Sequence, residues 1–263
     1  MFDALAQIAP FLDFSEAAFM AAVLVFVRVG AIVSFAPGFG EQFIPVRVRL
    51  VTAIAFSMIT WPLLDHSTLS GTWDGLRLGR AIISEAAVGL LIGISLRLLV
   101  MALQLAGSIA AQTTALAQIA GAGVTPDPMP AIGNTLVLAG LALAMALDLH
   151  VKLAGAIVTS YDIVGFGGHM PAADVASWGV GRAMQAFSFG FSLAGSFLIA
   201  AFLYNVALGA INKAMPQLMV AFIGAPAITF ATLVLLLLSA PLILSVWSIK
   251  LDAVLTNPFT ANP

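Results

Sequence analysis

The chain has 263 residues, of which 61% are hydrophobic and 8% charged, with a formal net charge of -2 at pH 7. Soluble domains carry roughly 25% charged residues, so a water-soluble fold is excluded and the composition is that of a multi-helix membrane protein. The lack of cysteine removes disulfides, thiolate metal sites and Cys nucleophiles, and no Lys/Arg cluster of the kind that nucleic acid requires is present.

The N-terminal stretch "MFDALAQIAPFLDFSEAAF" carries Asp3, Asp13 and Glu16 before any basic residue. It lacks the positive n-region of a cleavable signal and is expected to be retained. Ala17 to Phe39 is apolar except for Arg28 at its middle. Leu50 to Leu64 forms a shorter apolar run between the basic turn "PVRVRL" and the turn-forming "DHSTLSGTWDG". Ala81 to Gly107 contains Glu85 and Arg97, and the 29 residues between Arg97 and Asp127 carry no charge. Leu136 to Ser160 contains Asp148, His150 and Lys152.

After the Gly-rich loop "YDIVGFGGHMPAAD" come 30 charge-free residues, 183–212, and then 36 more, 214–249. As one straight helix the last run would reach roughly 54 Å, against a hydrocarbon core of ~30 Å. Pro226 and Pro241 lie within it, so a bent helix or a helix plus a re-entrant segment is expected.

Membrane strands are about ten residues long and alternate, which these runs do not. "FSFGF", Phe187 to Phe191, alternates only locally and sits inside a long apolar run, so it is read as helix. The pattern predicts an all-α membrane-associated protein of six or seven hydrophobic, partly kinked helices. Simple alternation of spans puts Arg47, Arg49 and Lys213 on one side and Arg77, Arg80, Arg182 and Lys250 on the other. The positive-inside rule therefore fails to orient the chain.

Arg28 is the sharpest anomaly, because an Arg at the bilayer centre costs about 2.5 to 3.5 kcal/mol on insertion scales. A carboxylate on a neighbouring helix, with Glu85 as one candidate, would offset that cost and make the residue structural. Glu85 and Arg97 are 12 residues apart, about 18 Å along a helix, and cannot pair with each other. Between them "GLLIG" puts Gly89 and Gly93 on one face, where two helix backbones can approach closely. In "DLHVK", Asp148 and Lys152 are spaced for an i,i+4 ion pair, whereas His150 points away. No nucleophile elbow, HExxH or Walker A sequence occurs, and His66, His150 and His169 lack metal-ligand spacing. Enzyme activity and a cofactor are not expected. The ten Met and eighteen Phe residues are read first as core, and as a deformable constriction only if a pore is implied by other evidence.

Four stretches together resemble the FliR family of flagellar export proteins, whose injectisome counterpart is the T component. They are "RVGAIVSFAPGFGEQFIPVRVRLVTAIAF", "EAAVGLLIGISLRLLVMALQLAGSIAAQTTALAQ", "HVKLAGAIVTSYDIVGFGG" and "NVALGAINKAMPQLMVAFIGAPAITF". Each alone is modest, but they occur in family order across most of the chain. Ser108 stands where many members carry an acid, and the loop reaching Asp127-Pro128 is a few residues longer than usual.

The resemblance implies a non-enzymatic channel subunit that joins FliP and FliQ in the type III export gate of the bacterial inner membrane. Residues 1–180 would be the FliP-like part, with a plug loop at about 108–134, and residues 183–263 a FliQ-like helical hairpin. The Gly/Pro-rich segment resembles the family's pore plug, pointing to Ala111, Gln112, Leu116, Gln118, Ile119, Gly121, Gly123 and Asp127. Arg28, Pro37, Pro45, Arg47, Glu85, Gly89 and Gly93 are expected at packing or partner contacts. Asn212, Lys213, Pro216 and Gln217, in the "NKAMPQ" turn, are expected to face FlhB. The alternative reading is a secondary transporter with a midplane site near Pro226 and Asp148 or Glu85.

Overall fold

The computed structural model describes residues 2–64, 74–113, 131–215 and 220–259. Among these residues the chain is all-helical, with eight α-helices and one short 3-10 turn. The helices are α1 (Phe2–Phe35), α2 (Val46–Thr60), α3 (Gly75–Thr113), α4 (Ala131–Ala146), α5 (Leu149–Ile163), α6 (Ala172–Leu193), α7 (Gly195–Ala214) and α8 (Val220–Thr256). The 3-10 turn Trp61–Leu63 extends α2. Among the described residues four helices are long and apolar enough to cross a membrane, and up to six spans result if the broken pairs α4–α5 and α6–α7 each count as one.

Local chemistry sets several of these boundaries. Pro45, which precedes α2 in an extended conformation, accepts the first turn's N–H groups of Val48 and Arg49 through its carbonyl. Its missing N–H removes one donor that a helix start would leave unpaired. Asp74 caps α3 by accepting the Arg77 N–H at 3.0 Å, the usual role of a short acidic side chain at this position. The run read as Leu136 to Ser160 is two helices. Asp148 interrupts it with φ 58 and ψ 41, a left-handed conformation that Asp and Asn tolerate better than other non-glycine residues.

The helix-plus-re-entrant reading of the last apolar run is corrected. Val220–Thr256 is one α-helix of 37 residues containing both Pro226 and Pro241. Each proline deletes a single backbone donor, and an apolar helix of this length retains enough of the remaining ladder to continue.

The chain forms two compact units that interleave in sequence. The first comprises Met1–Arg97, Asp148–Val180 and Asp252–Asn262. It contains an apolar cluster in which Ala21, Leu24 and Ala81 are buried, with Trp61, Ile82 and Phe166 packed against them. The second comprises Leu98–Leu147 and Gly181–Leu251. There the Trp247 side chain is fully buried and its Nε1 donates to the Leu99 carbonyl at 2.9 Å, as a buried indole requires. Gly107 and Gly133 let α3 and α4 meet backbone to backbone, since a Cβ on Gly107 would fall 2.6 Å from the Gly133 nitrogen.

Much of the apolar surface is not used inside the chain. In the most apolar stretch of α8, within Ala227–Thr256, only 17% of the residues are buried, and Leu233, Leu237, Leu238 and Leu242 are exposed along the helix. A patch of this kind calls for lipid or another protein.

Candidate functional site

The first unit is organised around a buried charge. α1 carries Arg28 and α3 carries Glu85, and both side chains are completely buried, with Arg28 Nε 2.6 Å from Glu85 Oε2. Two small residues of α3 make this geometry possible. A Cβ on Gly89 would lie 2.8 Å from the Ala31 Cβ, and one on Gly93 would lie 2.9 Å from the Phe35 Cβ. α1 and α3 therefore pack through the "GLLIG" face, and the Glu85 carboxylate is brought directly to Arg28.

α5 and the turn after it complete the shell. Arg28 Nη1 donates to Ser160 Oγ at 3.1 Å, and Nη2 donates to the Val164 carbonyl at 2.9 Å. The Arg28 guanidinium carbon lies 3.6 Å from the Tyr161 ring centroid, a cation–π contact made stronger by burial of both side chains. The Tyr161 hydroxyl donates to Glu85 Oε2 at 3.2 Å, and the Gly167 N–H donates to Glu85 Oε1 at 2.8 Å. Gly167 has φ 63, which glycine adopts without steric cost and which aims its N–H at the carboxylate.

Burial of two ions costs several kcal/mol each after relaxation, and only good geometry with further hydrogen bonds compensates for it. Here both carboxylate oxygens accept protein donors, and the guanidinium uses three of its nitrogens. Every nitrogen of the guanidinium and both carboxylate oxygens are engaged, so the chemistry of the network is that of a clamp holding α1, α3, α5 and the 164–168 turn together. Sequence reasoning found Arg28 and Glu85 because charges are so sparse. It missed Ser160, Tyr161 and Gly167, although Tyr161 is one of only two tyrosines in the chain.

A second pair braces the turn between α1 and α2. Arg97 Nη1 lies 2.8 Å from Glu41 Oε1, and Arg49 Nη2 donates to the Glu41 carbonyl at 2.8 Å. Pro37 is buried in this turn, whereas Pro45 and Arg47 are exposed. The proposed Asp148–Lys152 pair is corrected. Asp148 stands in its left-handed break, and Lys152 Nζ instead reaches Asp252 Oδ1 at 2.7 Å.

The other predicted positions are distributed as follows. Ala111 is half-buried and Gln112 exposed in the last turn of α3. Leu116, Gln118, Ile119, Gly121, Gly123 and Asp127 lie outside the described residues, as do Pro216 and Gln217. Asn212 lies in the last turn of α7 with Lys213, which is exposed. No group of three metal-ligating side chains occurs among the described residues.

Several long apolar helices, with α1 and α3 joined by a buried Arg–Glu clamp, define a multi-pass α-helical membrane protein. The family model of bacterial export proteins, family 1, matches residues 19–254. The flagellar biosynthetic protein FliR of Caulobacter vibrioides is 37% identical over 230 residues, covering 86% of this chain and 91% of that one. FliR of Pectobacterium carotovorum is 26% identical, covering 83% of each chain. FliR of Bacillus subtilis is 25% identical, covering 82% of this chain and 85% of its own. The chain belongs to the FliR family of bacterial export proteins.

Proposed function

We propose that the chain is a non-enzymatic subunit of the flagellar protein export gate. In this role it assembles with FliP and FliQ in the bacterial inner membrane to form the pore through which unfolded flagellar proteins cross. The observation that carries this reading is the family match over residues 19–254. The exposed apolar faces of α2 and α8 support it, because only 17% of Val46–Leu63, and of the most apolar stretch within Ala227–Thr256, is buried within the chain. Such faces suit packing against further helices.

Within this reading the segment Ala111 to Asp127 plugs the closed pore. Its small and apolar residues fill a lumen without gripping a passing polypeptide. The turn Asn212–Gln217 faces FlhB. Planar-bilayer conductance of the assembled complex tests the plug: deleting Ala111–Asp127 raises the ion leak, and an unchanged conductance rejects the assignment. A photocrosslinker at Lys213 is expected to capture FlhB, and repeated failure to do so would remove that contact.

A further inference from the structure

A second polar feature lies in the first unit, separate from the Arg28 clamp. It is a cavity of about 610 Å³ between the start of α3, the turn after α5 and the start of α6. Arg80, Ser84 and His169 supply its polar lining, and Ile83, Met170 and Val175 its apolar lining. The Ser84 hydroxyl is already committed to the Gly168 carbonyl, which fixes the wall of the turn. Arg80 and His169 are both exposed and make no hydrogen bond or ion pair among the described residues.

Arg80 stands immediately before the apolar run that opens at Ala81. In a membrane helix an Arg so close to the end extends to the headgroup layer. The cavity thus combines two nitrogen-donor side chains, Arg80 and His169, with an apolar wall. Ile83, 72% exposed, continues that wall along α3. Asp74 and Asp174 begin α3 and α6 but are not part of the lining, and Asp74 is occupied as the cap of Arg77. Basic side chains beside an apolar floor match an anionic amphiphile. A partner protein's carboxylate would satisfy the charge but leave the apolar floor unexplained.

We propose that this cavity binds an anionic phospholipid, with its phosphate on Arg80 and His169 and an acyl chain along Ile83, Met170 and Val175. The clamp contributes indirectly: by holding Gly167 against Glu85 it sets the turn that carries His169. The proposal requires only that the chain sits in a bilayer and does not depend on the export-gate reading.

The test is native mass spectrometry of the full-length chain in mild detergent, alone or with whatever subunits it purifies with. The probes are dioleoylphosphatidylglycerol, dioleoylphosphatidylcholine and inorganic phosphate. A one-to-one phosphatidylglycerol adduct is expected, preferred over phosphatidylcholine and not displaced by inorganic phosphate. Arg80→Gln should weaken it about tenfold, the effect of losing one charge-assisted phosphate contact. Ala87 also lines the cavity; Ala87→Phe fills it without altering charge and should also reduce occupancy, whereas Lys250→Gln should not. Equal phosphatidylglycerol occupancy in the parent chain and in both Arg80→Gln and Ala87→Phe would overturn the proposal. So would equal binding of the two lipids, or displacement by inorganic phosphate, which would mark a free-anion site. Because the lipid preference is read on the unaltered chain, the test decides even if a variant fails to fold.

Discussion

Replacing Glu85 by Ala removes the counter-charge of Arg28 while leaving its guanidinium at zero exposure between α1, α3 and α5. The same change orphans the Tyr161 hydroxyl and the Gly167 N–H, both of which donate to that carboxylate. Breaking a buried pair from one side costs about 3–5 kcal/mol. For a chain of this size that corresponds to a fall in Tm of roughly 6–20 °C. Much of this arises from the stranded Arg28 charge, so Arg28→Met in the Glu85→Ala background should restore part of the loss. A double-mutant cycle should give a coupling of about 1–3 kcal/mol. Thermal unfolding of the detergent-purified chain, together with its steady-state amount in membranes, reads both effects. If Glu85→Ala melts within 2 °C of the parent, or if the second substitution adds to the damage in full, the clamp does not hold the unit together.

Further outcomes follow from the same contacts. Gly93→Leu forces a side chain into Phe35 on α1 and should destabilise by about 1–3 kcal/mol, with a matching fall in Tm. Lys152→Ala should cost less than about 1 kcal/mol, because its ion pair with Asp252 is partly exposed on both sides; a larger loss would mean the pair is desolvated. Trp247→Ala removes the fully buried indole and its bond to Leu99, a change of about 3–5 kcal/mol that should sharply lower the amount of protein in membranes. Trp247→Phe loses only the five-membered part of the indole with its N–H and should cost less, about 1–3 kcal/mol, so a loss as large as that of Trp247→Ala would contradict the packing seen at this site.

The helical class was legible because apolar runs longer than any membrane strand leave no other way to satisfy the backbone in lipid. Glu85 was legible as the partner of Arg28 for a related reason: with 22 charged residues in the chain, few carboxylates are available. The rest of the clamp was not, since Tyr161 and Gly167 lie 76 and 82 residues from Glu85 in sequence, and nothing local marks either as its donor. Asp148 illustrates how a local rule is overridden. Its i,i+4 spacing to Lys152 assumes continuous helix, but the chain breaks at Asp148, and Lys152 pairs with a residue 100 positions away. The prolines of α8 mislead in the opposite direction, as a deleted donor weakens a helix without necessarily ending it. The proposed plug residues from Leu116 to Asp127 owe their assignment to sequence resemblance alone.

The most direct test of the proposed role is affinity purification of the tagged full-length chain from membranes of its own cells in mild detergent. An export-gate subunit emerges in a stable stoichiometric complex with FliP and FliQ and aggregates when expressed without them. A chain that purifies alone as a stable, monodisperse protein, with neither partner present, contradicts the gate assignment.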